Sequence, residues 1–260
     1  MIALHNKKYK YSLVYSPKVA STFLTNTYVR IHEDEFPDGY LEDKIKKGKR
    51  YANAYAGLDP EVHHGLEHTD QLWEGPTFGV LRGPKERIVS AFYTLIKNVY
   101  SDKPEADGMR RFASRIANGC GKSIDNITFM DILEFVSKHP DNELDVHFQS
   151  QTGNVSDDVI CRINFYKMDW SVHSALIGFY QGVMPEREDA LDIVREWNSK
   201  HPNQKMYKLN MDKADHTRTP IQEFHRANIK DFYGFITGDT EPLIYRRYVR
   251  DFAAFNTLAI

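Results

Sequence analysis

Short apolar runs alternate along this chain with longer stretches of helical periodicity. Tyr11 to Ser16 (YSLVYS) is β-prone and stops at Pro17, the pattern of a buried strand running into a turn. Beyond the turn, Phe23, Leu24, Thr27, Tyr28 and Ile31 recur at helical spacing. The same order returns at Thr77 to Leu81 (TFGVL). There the turn Arg82-Gly83-Pro84 leads into an amphipathic helix carrying Ile88, Val89, Phe92, Leu95, Ile96 and Val99. Thr128 and Asp131 form a capping pair ahead of Ile132, Leu133, Phe135 and Val136, with Asp in the usual place of Glu or Gln. Val159 to Tyr166 (VICRINFY) reads as another strand, and Asp169 is placed to cap a helix holding Val172, Ala175, Leu176 and Phe179. Leu191, Ile193, Val194 and Trp197 mark one more helix, and Tyr245, Tyr248, Phe252 and Phe255 a last one. Strands alternating with helices imply an α/β fold whose mostly parallel sheet is flanked by helices. No repeat, low-complexity tract or Pro/Gly-rich linker interrupts the pattern, so residues 1–260 read as a single domain.

Composition narrows the chemistry. With 260 residues the chain can bury a proper core. Its formal charge of −2 provides no global field toward nucleic acid or a membrane, so any anion site has to be local. A basic run, Lys44, Lys46, Lys47, Lys49 and Arg50, suits a solvated face or the docking of an anionic sugar. Cys120 and Cys161 are too few for a disulfide framework or a four-ligand zinc site and read as reduced thiols; no convincing metal-ligand cluster stands out. The N-terminal MIALHNKKYKYSLVYS lacks a small-residue cleavage site, and no stretch approaches the roughly 20 apolar residues of a membrane-spanning helix. A cytoplasmic protein without stable membrane insertion is the expectation, although a chain trimmed of an anchor would look the same. Nothing in the pattern speaks to oligomeric state.

In such a fold, ligands bind where strand carboxyl ends pass through loops into helix N-termini. The first of these loops, Ser16-Pro17-Lys18-Val19-Ala20-Ser21-Thr22, offers a lysine, two hydroxyls and several N–H groups at the positive end of a helix dipole. It is not a Walker A loop, because the GxxxxGK[ST] spacing is absent and the lysine precedes the turn. The second, Arg82-Gly83-Pro84-Lys85-Glu86-Arg87-Ile88-Val89-Ser90, sets an arginine at a strand end and a serine eight residues later on the following helix. A guanidinium fork donates two hydrogen bonds to a dianionic phosphate. Each loop alone is equally compatible with a capped helix carrying solvated polar residues; two anion-ready strand ends in one sheet make that less so.

Together, SPKVASTFL and VLRGPKERIVSAFY resemble the two signatures for 3′-phosphoadenosine-5′-phosphosulfate (PAPS) of the carbohydrate sulfotransferase family that includes the uronosyl 2-O-sulfotransferases. In that family P-K-[TV]-[GA]-S-T grips the 5′-phosphosulfate, and L-R-[DN]-P-x-E-R-x-x-S grips the 3′-phosphate. The resemblance implies a P-loop-like three-layer fold, PAPS as co-substrate without a metal, and a hydroxyl acceptor, a saccharide by analogy. Pro17, Lys18, Val19, Ala20, Ser21 and Thr22 then bind the 5′ end, and Arg82 and Ser90 the 3′ end. Looser agreement extends to Asp145–Thr152 (DVHFQSQT) and to Tyr248, Asp251 and Phe255 near the C-terminus. Thr217 and Arg218, in KADHTRT before Pro220, lie where the family has a loop closing over the nucleotide; the alternative there is a polar loop before a Pro-started helix. Gly83 departs from the usual Asp, and the cysteine pairs of secretory members are missing.

In-line sulfonyl transfer needs charge stabilisation on the leaving phosphate oxygen, which Lys18 and the loop N–H groups can supply, and a base for the acceptor hydroxyl. Two histidine regions compete for the second task. His63, His64 and His68 in VHHGLEH match only half of the family's Y-H-G-H stretch, Leu66 replacing its second histidine. His147 matches a His-aromatic-x-x-Gln element and is equally readable as a structural histidine; Glu67 is a further possibility. Tyr51, Tyr55, Trp73 and Tyr100 could stack on sugar rings or belong to the core. A nucleotide-dependent kinase shares the strand–loop–helix cradle but would require the Walker spacing. A non-catalytic nucleotide-binding protein would bind without turnover.

Overall fold

A computed structural model describes residues 1–6, 8–19, 21–35, 63–66, 75–153, 155–169, 171–200, 214–227 and 233–258, with only the backbone at 2, 63–66, 105 and 197–200. Among them the first half of the chain forms β1 (Ile2–Asn6), β2 (Tyr11–Tyr15), α1 (Ser21–Ile31), β3 (His63–Leu66), β4 (Thr77–Leu81), α2 (Pro84–Val99) and α3 (Asp107–Cys120). The second half forms α4 (Phe129–Lys138), α5 (Asp157–Ile160), β5 (Asn164–Lys167), α6 (Val172–Val183), α7 (Glu188–Lys200), α8 (Ile221–Ala227), α9 (Thr240–Arg247) and α10 (Val249–Thr257). None of the described helices is long and apolar enough to cross a membrane. By their contacts the segments sort into two compact units. One comprises 1–81, 154–204 and 258–260, and the other 82–153 and 205–257.

The first unit holds a sheet in the order β3-β1-β2-β4-β5. β2, β4 and β5 pair in parallel, while β1 is antiparallel to both β2 and β3, so four of the five strands run in one direction. Burial explains why β2 and β4 are legible as continuous apolar runs: every residue of each is buried. Leu13, Tyr15, Phe78 and Val80 pack on one face under α1, α6 and α7. Ala3 and Val14 face the other way, against Val155, Val159 and Ile163. On that second face Gly79 is required by space, since a Cβ there would lie 2.5 Å from Ile163 and 2.6 Å from Phe165.

The expected strand at Val159–Tyr166 is a correction. Val159 and Ile160 close the short helix α5, and the strand starts at Asn164 and runs to Lys167. Asp157 and Asp158 in the first turn favour the helix dipole, which pulls the apolar pair out of the strand. β3 carries a single apolar side chain and the apolar run of β1 stops after three residues at His5, so neither pattern announces a strand.

The second unit is helical. Phe92, Phe112, Phe129, Phe148, Phe224 and Phe235 meet in its core. The capping box is present as expected: the Thr128 hydroxyl accepts from the Asp131 N–H, and the Asp131 carboxylate accepts from the Thr128 N–H. The single C-terminal helix expected from Tyr245 to Phe255 is instead two, broken at Tyr248, which leaves helical geometry at φ −116°, ψ 31°. The buried Tyr248 hydroxyl donates to the Phe148 carbonyl at 2.8 Å, a bond that ties the break to the segment 145–152.

Candidate active site

β2 delivers the chain into a tight turn at its carboxyl end. The Val19 N–H donates to the Ser16 carbonyl at 3.1 Å, with Pro17 and Lys18 at the two central positions. Proline fits the second position of such a turn, but the third requires positive φ and favours glycine. Here it is Lys18, at φ 68°. A lysine kept where glycine would be unstrained is the kind of outlier that marks a functional position. Ser16 and Val19 are buried and anchor the turn, Pro17, Lys18 and Ser21 are half-buried, and Thr22 is exposed. Ala20 lies outside the described residues. The first turn of α1 contains no acidic side chain, so no carboxylate there competes with an anion for the positive end of the helix dipole. Behind that turn packs a histidine unnoticed in the sequence. His173, near the start of α6, sets its ring 4.5 Å from that of Phe23, and burial pushes its imidazole below the usual value.

β4 is the parallel neighbour of β2, and Arg82 is the residue that follows its last. The Arg82 backbone is clamped by one amide side chain: Arg82 N–H donates to Gln151 Oε1 at 3.0 Å, and Gln151 Nε2 donates to the Arg82 carbonyl at 2.9 Å. Pro84 opens α2, where its missing N–H costs nothing, and Gly83 stands at the cap. A side chain at Gly83 would collide with the carboxylate of Glu86, which curls back over the cap from the third helical position. Ser90 is half-buried two turns along α2.

Arg87, in sequence one more residue of the motif, is among the most buried of the large side chains described. Its guanidinium donates to the carbonyls of Gln149 at 2.6 Å and Val146 at 3.4 Å. Burial lowers its pKa, Tyr248, Asp251 and Asp141 act to raise it, and the neighbouring Arg82 charge lowers it further. Asp251 is buried on the same segment. Its carboxylate accepts from Ser150 Oγ at 2.6 Å, Gln151 N at 2.8 Å, Thr152 N at 2.9 Å and Thr152 Oγ1 at 2.8 Å. The two stretches that agreed only loosely with the family, 145–152 and 248–255, are therefore bonded to each other.

Within that braced segment His147 is half-buried. Its Nδ1 lies 2.6 Å from Asp145 Oδ1, which also accepts the His147 backbone N–H at 3.0 Å. A carboxylate on Nδ1 fixes the tautomer that carries its proton there and leaves Nε2 as the basic nitrogen. The other histidine group is seen less fully. His64 pairs through its backbone with His5, and His5 with Ser12, so it sits level with the second residue of β2. That is three residues, about 10 Å, from the strand's carboxyl end. Glu67 and His68 lie outside the described residues, as do the basic run from Lys44 to Arg50 and Tyr51, Tyr55 and Trp73.

Thr217 is buried, and its N–H and hydroxyl both donate to Asp215 Oδ1, at 2.8 and 2.6 Å; these bonds hold the Asp215 carboxyl below its usual range. The Thr217 carbonyl accepts the Met130 N–H at the start of α4, so this residue shapes its loop, while Arg218 is exposed. Tyr100 stacks on His225 at 4.1 Å and donates to Asp125, an internal use of its ring. Cys120 and Cys161 are free thiols, and among the described residues no group of three His, Cys, Asp or Glu could hold a metal. A cavity of about 730 Å³ opens at the far end of α1, beside Tyr9, Arg30 and Arg187, away from the Lys18 turn. Its arginines are engaged, Arg30 with Glu196 and Arg187 with Asp34 and Asp189.

The sulfotransferase family model matches residues 3–256, nearly the whole chain. The chain belongs to the sulfotransferase family. Searches of curated proteins and of solved structures return no match. Sulfonyl transfer is thus the reaction class, with a hydroxyl-bearing acceptor.

Proposed function

We propose that this sulfotransferase takes its sulfonyl group from PAPS and passes it to a hydroxyl of a saccharide, the whole chain acting as one catalytic domain. The observation that carries the reading is the Lys18 turn. It is a strained, anion-ready turn at the carboxyl end of a central strand, in a chain of this family. The donor chemistry fits the residues: PAPS supplies an activated sulfonyl group flanked by phosphates, and each loop offers cationic or N–H donors to match. Lys18, Ser21, Thr22 and the turn N–H groups bind the 5′-phosphosulfate and stabilise charge on the departing phosphate oxygen. Arg82 and Ser90 take the 3′-phosphate, and Arg218 closes over the nucleotide.

His147 is the base in this account, held by Asp145 with Nε2 available. The acceptor oxygen forms its bond to sulfur as the bond from sulfur to the phosphate oxygen breaks, and the acceptor proton passes to Nε2. His68 and Glu67 are the rivals, and His64 is disfavoured by its level in the sheet. The test compares pH–rate profiles of His147→Ala, His68→Ala and Glu67→Gln. His147→Ala should lose about 10² to 10⁴ in turnover and flatten the rising acid limb, with nucleotide affinity unchanged. A flattened limb in His68→Ala, with His147→Ala near wild type, would move the role to the other group.

A further inference from the structure

We infer that Gln151, itself held by Asp251, is a positioning residue for Arg82 and sets how strongly the protein selects a 3′-phosphate. The inference rests on the proposed function, which assigns Arg82 to that phosphate, and goes beyond it to residues that touch no ligand. Arg82 is the residue after β4, just past the last residue of the strand. There Gln151 pairs with its backbone. One primary amide donates and accepts at the two polar groups of the same residue, at 2.9 and 3.0 Å, as an adjacent strand would. Such a bidentate contact fixes both the position and the rotation of the Arg82 backbone, and hence the direction in which its side chain starts.

The clamp is useful only if Gln151 cannot move, and the surrounding charges see to that. Gln151 is fully buried. Its N–H and that of Thr152 are held by the Asp251 carboxylate, at 2.8 and 2.9 Å. The carbonyls of Gln149 and Val146, just upstream, are held by the Arg87 guanidinium. An anion on the amides and a cation on the carbonyls brace one short segment from both polar sides. The break at Tyr248 brings Asp251 there, because it starts α10 with Asp251 in its first turn.

The test measures the affinity of the full chain for 3′-phosphoadenosine-5′-phosphate and for adenosine 5′-phosphate, and reads their ratio. Wild type should prefer the bisphosphate, and Arg82→Ala should lose that preference. Gln151→Ala should cut the ratio about 10-fold while binding adenosine 5′-phosphate as before, a coupling of the size expected within one hydrogen-bond network. Gln151→Glu, which keeps the acceptor for the Arg82 N–H and loses the donor to its carbonyl, should lie between, and it serves if the alanine variant does not fold. In an Arg82→Ala background neither change should alter the ratio further. A merely structural Gln151 would lower the melting temperature and leave the ratio at the wild-type value, which overturns the inference. A wild-type ratio near one would instead overturn the proposed 3′-phosphate site itself.

Discussion

Replacing Lys18 with glycine should separate stability from activity. Lys18 is held at φ 68°, a region that costs a side-chain-bearing residue about 1–2 kcal/mol. Glycine removes that cost but returns about 0.5–1 kcal/mol through its freer unfolded chain. Lys18→Gly should therefore stay within about 1 kcal/mol of wild type, and should be at least as stable as Lys18→Ala, which keeps the strain and loses the side chain. Turnover should behave oppositely. Loss of one preorganised donor at a developing oxyanion costs about 10² to 10³ in rate, and both variants lose the same ammonium. Urea midpoints and initial rates on the three proteins make the comparison. A Lys18→Gly protein that keeps turnover within tenfold of wild type would refute the catalytic role. One destabilised by much more than Lys18→Ala would refute the argument from backbone strain.

Three further outcomes follow from the second unit. Arg87→Met leaves the Gln149 and Val146 carbonyls without their donor and the buried Asp251 without its nearby cation, so urea unfolding should show a loss of about 3–5 kcal/mol; a loss under 1 kcal/mol would contradict the bracing role. Thr128→Ala should cost about 1 kcal/mol through the capping box. Burial raises the Asp131 pKa, but its bonds from Lys122 and Thr128 outweigh burial and depress it. Its contribution should therefore be present above the ordinary value of 3.8 and lost as pH falls through the folded value, which urea midpoints of wild type and Asp131→Asn across acidic pH would show.

What the sequence revealed divides along burial. β2 and β4 are buried on both faces and show as apolar runs, and the helices after them show their stripe, so both strand–turn–helix units were legible. β5 is half-exposed along its length and has no such run, which is why the apolar Val159 and Ile160 drew the expected strand several residues too early. The break at Tyr248 leaves the aromatic spacing intact on either side, and it is fixed by a bond to Phe148, a hundred residues away. Lys18 and Arg82 were picked out as candidates by motifs whose chemistry is local. Arg87, Gln151 and Asp251 were not, because a buried polar hub looks in sequence like any surface polar residue until its partners are known.

The central claim is sulfonyl transfer from PAPS, and it is tested by incubating the protein with PAPS labelled in the sulfonyl group and a panel of saccharide acceptors. The account predicts label on a saccharide, with 3′-phosphoadenosine-5′-phosphate formed in equal amount, and no transfer by Lys18→Ala. Binding of the bisphosphate without movement of label to any acceptor would contradict it and mark a nucleotide-binding protein that does not turn over.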